Sequence, residues 1–331
     1  LTIRTKAPYA TLVNDLCDPY AVIVDVAGTK DFDNAPVCTG PFVMSSFEAD
    51  KHAVMTKNTK YWGGDVKVDE VEYTKIADFN TLAMALQGDE IDVALDLSPE
   101  TAETIAANDK FTVVKTPQTR TYQLYMNLDK LTDPAVRQAI MYGVDKKTIG
   151  DQYLKGAMTA SNSAFLASTP YGDPALKARS YDPEKAKQVL AAAGYTDTDG
   201  DGIVEKNGKP LTVEMGVYKR LFNENITTEM QAQLKKIGIN INIVSHEKST
   251  YLKPGEFELS LYSVITMPTG DPYAFLRDSL NAKGVSNFGH YDNPVVEQLL
   301  SDLPNTFDPT KRIALVNHIQ QQVIDDAAMD F

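Results

Sequence analysis

The sequence predicts an α/β protein with mixed sheets and flanking helices, and three observations carry that expectation. First, acidic or amide residues stand directly before proline at Asp133-Pro134, Asp182-Pro183, Asn293-Pro294 and Asp308-Pro309. Each pair places a side-chain acceptor at a helix N-cap and a proline at N1, where its missing N–H costs nothing. Second, Leu211–Tyr218, Ile239–Val244 and Phe257–Ile265 are short apolar runs of strand length, and Asn225–Ile237, stopped by Gly238, lies between the first two with helical spacing. Third, the resulting β-α-β-β order belongs to a lobe that packs helices on a sheet. At 331 residues with 43% hydrophobic content the chain has material for about two domains.

Taken in order, Ala10–Leu16 reads as a short helix, Tyr20–Val24 as a strand, and Thr29–Pro36 as a polar loop. Pro41–Glu48 and His52–Lys57, separated by Ala49-Asp50-Lys51, predict a β-hairpin, and Val68–Ile76 a further strand. Thr81–Gln87 is helical with Gly88 as its stop. Ile91–Leu95 is a strand, Ser98 caps a helix through Ala107, and Phe111–Lys115 and Thr121–Asn127 are two more strands. The segment Leu131–Ala157 is the most internally consistent helical stretch. Val136, Ala139, Ile140, Gly143 and Val144 form its apolar stripe, with Arg137, Gln138 and Tyr142 off it, and Asp145 caps a second short helix. The last helices start at Asp271-Pro272, Asn293-Pro294 and Asp308-Pro309, and an extended piece begins near Phe331.

The charge balance is 32 basic against 45 acidic residues, a formal −13, which repels polyanions and excludes nucleic acid as a partner. No apolar run approaches the roughly 18 residues of a membrane span, so the chain is not itself membrane-spanning. Cys17 and Cys38 could form one bridge or stand as two isolated, partly buried thiols. The four histidines are scattered without metal-ligand spacing. No nucleophile elbow, phosphate loop or dinucleotide fingerprint occurs, so an enzyme is not expected.

Two local features remain. Asp197-Thr198-Asp199-Gly200-Asp201-Gly202-Ile203-Val204-Glu205 matches the opening of a calcium loop, with Asp197, Asp199 and Asp201 as carboxylate ligands, the Ile203 carbonyl and Glu205. Position 12 is Gly208 where a closing glutamate belongs, so the loop reads either as a calcium site or as a solvated acidic turn. Arg120, at the head of the strand RTYQLYMN with Tyr122 and Tyr125, could meet a carboxylate ligand or form a rim salt bridge. Trp62 beside Tyr61 reads as a packed strand end more than as a ligand platform.

These stretches together resemble the extracellular solute-binding proteins of family 5, which serve ABC importers of peptides and nickel. The resemblance rests on Thr39-Gly40-Pro41-Phe42, then Lys57-Asn58 with Tyr61-Trp62-Gly63-Gly64, then Val71–Ile76 and Gly88 with Ile91-Asp92. It continues through Asp133, Val136-Arg137-Gln138-Ala139-Ile140 and Val144-Asp145, Tyr181-Asp182-Pro183 with Lys185-Ala186, Gly202-Ile203, Asn207-Gly208-Lys209-Pro210-Leu211, Asp271-Pro272 and Lys311-Arg312.

The resemblance implies a two-lobed periplasmic-binding-protein type II fold that closes on its ligand. It implies an internal portion of the family's length, truncated at both ends. Residues 1–36 would end an accessory subdomain, 37–127 would form the central part of lobe one, and 128–331 would be mainly lobe two with hinge-proximal helices. The implied function is capture of a nickel or other metal chelate, or a short peptide, in the interlobe cleft, with an ABC transporter permease as partner. The implied location is extracytoplasmic, periplasmic or as a cell-surface lipoprotein whose anchor is not in this chain. A calcium-stabilised hydrolase and a pheromone-like signal-peptide receptor of the same fold are the alternatives.

Peptide-type members carry an Asp where this chain has Pro268. Nickel-type members carry Trp, Tyr and His where it has Thr266, Gly270 and Gly284. The pocket tyrosine of nickel-type members matches Tyr251, and the overall spacing is closer to the nickel branch. The expected ligand contacts are therefore Arg120, Tyr122, Tyr251, Thr266, Met267 and Asp271.

Overall fold

The computed structural model describes residues 2–331, which divide into two compact units, 15–113 and a larger one built from the N-terminal residues to Asn14 with 114–331. In the smaller unit, β1 (Phe42–Glu48), β2 (His52–Lys57) and β3 (Glu70–Thr74) form an antiparallel sheet in sequential order. The expected hairpin is present with Glu48 opposite His52, and a bulge between Met44 and Ser46 shifts its register. Two helices follow, α1 (Phe79–Gln87) and α2 (Pro99–Ala106), whose N-caps Asp78 and Ser98 each accept from Thr81 N and Thr101 N.

Three expected strands of this region are absent. Tyr20–Val24 contributes only an isolated bridge from Val24 to Cys38, and Ile91–Leu95 and Phe111–Lys115 are irregular. Their β-rich composition finds no neighbouring strand to pair with, and pairing rather than propensity makes a strand. Trp62 is 80% exposed, against a neighbouring Tyr61 ring, so it is not a packed strand end. Cys17 and Cys38 are exposed thiols, not a disulfide and not partly buried.

The larger unit is organised on one sheet, whose strands are β4 (Arg120–Met126), β5 (Thr212–Tyr218), β6 (Asn240–His246), β7 (Leu259–Ile265) and the short β8 (Met329–Asp330). Their order in space is β8-β4-β7-β5-β6. β5 runs parallel to both β6 and β7, whereas β4 runs antiparallel to β7 with Arg120 opposite Ile265 and Tyr122 opposite Ser263. The strand expected to close the first lobe at 127 is therefore an inner strand of this sheet. The compact units change over near 114, not at 127.

Strand alternation sends side chains to two cores. One face holds Leu124, Met126, Val213, Met215, Ile241, Leu259 and Leu261 under α3 (Pro134–Gly143) and α5 (Asn223–Lys235). The other holds Tyr125, Tyr218, Tyr251 and Phe257 with α6 (Tyr273–Leu280), α7 (Pro294–Asp302) and α8 (Pro309–Asp325). Between these comes α4 (Pro183–Ala192), packed on α3.

The proline-initiated helices start as the sequence dictates. Asp133, Asp182, Asn293 and Asp308 each accept a first-turn N–H, and Gly143 lets α3 approach Ile237 to a distance that a Cβ would obstruct. Arg137, read as lying off the apolar stripe, is 8% exposed. Its guanidinium donates to the carbonyls of Leu131, Asp326 and Ala327, satisfying acceptors at the end of α8. Asp145 caps Lys146–Thr148, which continues as a π-helical turn over Ile149–Tyr153.

Candidate ligand-binding rim

Because β4 runs against β5, β6 and β7, the beginning of β4 and the ends of the other three lie along one rim of the sheet. In open α/β sheets, ligands bind outside the carboxyl ends of the strands. Here that rim carries Arg120 and Tyr122 from β4, Tyr218 and Arg220 from the end of β5 and the turn after it, and Tyr262 and Ser263 from β7.

The polar contacts within this group are specific. Arg120 Nη1 lies 3.3 Å from both the carbonyl and the hydroxyl oxygen of Ser263. The Tyr122 hydroxyl donates to the Leu221 carbonyl at 2.7 Å, which ties β4 to the turn between β5 and α5, and the Ser263 N–H donates to the Tyr218 hydroxyl at 3.3 Å. Burial pushes the Tyr122 phenol up, and the nearby Arg220 guanidinium pulls the other way. Tyr262 is raised in the same way, by burial first and then by Tyr218, while Arg120 and Arg220 both oppose the shift.

Neither Arg120 nor Arg220 is ion-paired among the described residues, although 45 acidic residues are available in the chain. Arg120 itself donates to the Ser263 main-chain carbonyl, and four other arginines of the unit are committed as well. Arg312 and Arg277 hold carboxylates, and Arg137 and Arg179 hold main-chain carbonyls. Around the same turn two buried atoms lack a protein partner, Asn223 Oδ1 and His246 Nε2. Buried orphan polar atoms are rare in folded proteins.

Of the six expected ligand contacts, the structure brings Arg120 and Tyr122 together at this rim and gives the other four internal roles. Tyr251 is 3% exposed, stacked on His246 at 3.9 Å, with its hydroxyl 2.8 Å from Ser260 Oγ. Its ring occupies the space above Gly216 that a side chain would take, an added Cβ falling 2.4 Å from Cε2. Thr266 is fully buried and bonds the Thr119 carbonyl through both its N–H and its hydroxyl. Met267 packs in the second core, and Asp271 is ion-paired to Arg312.

Sequence reading missed Arg220, Tyr218, Tyr262 and Ser263. The available signal was a basic residue in the turn between a parallel strand and its following helix.

The acidic loop folds as a compact turn. Asp197 accepts from the N–H groups of Gly200 and Gly202, Asp201 from that of Ile203, and Glu205 from both the N–H and the hydroxyl of Thr198. One carboxylate oxygen from each of Asp197, Asp199, Asp201 and Glu205 lies within 4.8 Å of the others. Glu205, at position 9, thereby closes the group that Gly208 leaves open at position 12. Four hard oxygen donors converging without a basic partner fit calcium by ligand type. Ile203 is buried and its N–H is committed to Asp201.

A two-sided α/β unit with a polar, aromatic rim at the strand ends is the scaffold of a solute-binding protein. The chain belongs to the bacterial extracellular solute-binding proteins, family 5, whose middle-region profile matches residues 1–287. It is 29% identical over 307 residues to the nickel-binding periplasmic protein of Escherichia coli strain K12, covering 88% of this chain and 58% of that protein. It is 28% identical over 327 residues to the oligopeptide-binding protein AppA of Bacillus subtilis strain 168, covering 93% of this chain and 58% of that one. The chain therefore spans less than two thirds of the length of these relatives. Among solved structures, NikA from Staphylococcus aureus in complex with Ni(L-His)2 superposes with a TM-score of 0.82 at 27% identity, over 99% of this chain and 69% of that one. The periplasmic-binding-protein fold expected from the sequence is the fold observed.

Proposed function

We propose that this chain is the solute-capturing part of an ABC importer, taking up a small carboxylate-bearing metal chelate at the rim formed by Arg120, Tyr122, Tyr218, Arg220 and Tyr262. The observation that carries this reading is the pair of arginines without carboxylate partners, set among aromatic hydroxyls at the carboxyl ends of the strands. A guanidinium presents a planar fork of donors matched to a carboxylate, and the surrounding phenols offer orientable hydrogen bonds. A short peptide presents the same terminal carboxylate and is the second ligand class. The chelate is favoured because nickel-binding proteins stand among the relatives this chain resembles, and one solved neighbour carries Ni(L-His)2.

The partner in this reading is a membrane permease. No helix among the described residues is long and apolar enough to cross a membrane, and the extracytoplasmic location follows from the family. Calcium at Asp197, Asp199, Asp201 and Glu205 is a structural accessory in this reading, because the loop belongs to the α4-to-β5 connection and not to the rim.

Calorimetric titration and thermal shift test the assignment. Nickel(II) with two equivalents of L-histidine and a panel of di- and tripeptides are added to the wild-type chain and to R120Q. Saturable binding by a member of the panel, weakened in R120Q, is expected. Silence from every ligand, or binding indifferent to R120Q, would count against it.

A further inference from the structure

We infer that the Asn207-Gly208 turn is a site of spontaneous covalent modification, at which Asn207 closes to a succinimide and opens to isoaspartate, and that this change releases Lys206 from Asp133. The inference goes beyond solute capture and is independent of the rim. It concerns the tip of the hairpin between the acidic loop and β5.

Asn207 is the one asparagine of the chain followed by glycine, so no side chain on the next residue shields the main-chain nitrogen that must attack. Asn207 at φ +55° and Gly208 at φ +70° are the two central residues of a hairpin turn between Glu205–Lys206 and Lys209–Pro210, the left-handed pair that a type I′ turn requires. Both are exposed, and a Cβ built on Gly208 meets nothing within 4 Å. Among the described residues neither the Asn207 carboxamide nor the Gly208 N–H enters a hydrogen bond. By contrast Asn58, Asn127, Asn281 and Asn293 hold their carboxamides in hydrogen bonds. The reacting groups at the tip are adjacent, solvated and free. As the tip flexes, hydroxide takes the Gly208 N–H proton and the nitrogen attacks Asn207 Cγ. The N–Cγ bond forms, the Cγ–Nδ2 bond breaks, and ammonia leaves with a proton from water. Water then opens the imide ring. Cleavage of the bond from nitrogen to Cγ gives aspartate, and cleavage of the bond to the main-chain carbonyl carbon gives isoaspartate, whose backbone is one methylene longer.

The surroundings decide where that added length goes. Val204 donates its N–H to the Gly238 carbonyl at 2.9 Å and accepts from the Leu211 N–H at 2.8 Å, while Glu205 and Thr196 exchange backbone bonds at 2.9 and 3.0 Å. Both arms of the hairpin are therefore pinned below the tip, and the extra methylene is absorbed between Lys206 and Lys209. Lys206 is the residue with most to lose. Its ammonium lies 2.8 Å from Asp133 Oδ2 and 4.6 Å from the centroid of the Tyr195 ring, and Asp133 is the N-cap of α3. The new carboxylate at position 207 also competes for the neighbouring Lys206 ammonium. Lengthened backbone and added charge thus act on the same contact, and its loss loosens the start of α3.

The test ages the full chain in mildly alkaline buffer and compares wild type, N207S and D133A, each fresh and aged. Peptide mapping by mass spectrometry follows every asparagine, and an isoaspartyl methyltransferase reports the lengthened backbone. The peptide spanning residues 206–209 should gain about one dalton before any other asparagine peptide and become a methyl acceptor. Aged wild type should melt about 2–4 °C below fresh protein. N207S has no carboxamide and should age without that loss, and D133A, in which the pair is already gone, should lose less on ageing than wild type. No mass gain at Asn207 ahead of the other asparagines, or a gain without methyl acceptance, overturns the modification. A mass gain with an unchanged melting temperature, or an equal loss in aged N207S or aged D133A, overturns the release of Lys206.

Discussion

Arg312 and Asp271 form a two-pronged ion pair inside the larger unit, with Arg312 Nη2 2.6 Å from one carboxylate oxygen of Asp271 and 2.8 Å from the other, and Nε at 3.0 Å. Both side chains are under 10% exposed. Arg312 also donates to the Leu303 carbonyl, and Asp271 accepts from the Tyr273 N–H at the start of α6. The pair therefore joins α6 to α8 and is fully spent on structure. Removing one member leaves a buried charge alone, which costs about 3–5 kcal/mol. D271A and R312A should each lower the unfolding free energy of the larger unit by that amount, measured by urea unfolding. A loss below about 1 kcal/mol would show that the pair is hydrated in solution.

Tyr251 offers a contrasting case, since the sequence assigns it to ligand and the structure buries it. Y251F deletes the bond to Ser260 and should cost about 1 kcal/mol while leaving ligand affinity unchanged. Burial holds the Tyr251 phenol up at about 12, partly offset by Ser260. The unfolded phenol ionises first, so this contribution to stability is complete below pH ~10 and is lost as pH rises toward the folded value. Y251F should lose less stability than wild type across that alkaline window in pH-dependent denaturation. A drop in ligand affinity instead would return Tyr251 to the site.

At the acid end the informative group is Asp133. Burial works to raise its carboxyl, but Lys206, 2.8 Å away, together with the Ala135 N–H and Tyr195, holds it below the usual range. A depressed folded pKa gives stability that is present above the unfolded value near 3.9 and disappears as pH falls through the folded value. D133A should therefore destabilise by about 1–2 kcal/mol at pH 7, through loss of the α3 cap and of this pair. The gap to wild type should narrow below pH ~4. A gap constant from pH 7 to pH 2 would assign the effect to packing alone.

Calcium should stabilise the larger unit through the Asp197 loop. Millimolar calcium is expected to raise the melting temperature of chelator-treated protein, and the rise should vanish in D199N and D201N. An equal rise in those variants would place the ion elsewhere. Magnesium should act less, because its strict octahedral shell at short distances suits this flexible turn poorly.

How much of this was legible in the residues divides along the line between local and non-local physics. Asp133, Asp182, Asn293 and Asp308 announce their helices because a cap and its first-turn N–H groups are neighbours in sequence. Tyr20–Val24, Ile91–Leu95 and Phe111–Lys115 have strand-like composition, but a strand exists only where another chain segment offers its hydrogen bonds, and that information is not local. Only two residues of the rim were similarly visible. Arg120 and Tyr122 stand together on one strand, so their shared face follows from alternation. Arg220 enters from nearly a hundred residues away, and only the antiparallel placement of β4 beside β7 brings it near. Arg137 shows the converse. Its position off the apolar stripe carries no sign of burial, and carbonyls that hold it come from the distant Asp326 and Ala327.

The strand order β8-β4-β7-β5-β6 has an evolutionary consequence. The two hydrophobic cores lie on the faces of the sheet, whereas the rim residues come from strand tips and one turn. Replacement of the exposed Lys219 and Arg220 alters what the rim can recognise while leaving Val213, Met215, Leu259 and Leu261 in contact. A lineage can thus exchange one cargo for another by small steps without passing through an unfolded intermediate. The same separation gives a protein engineer a short contiguous segment in which to reprogram uptake.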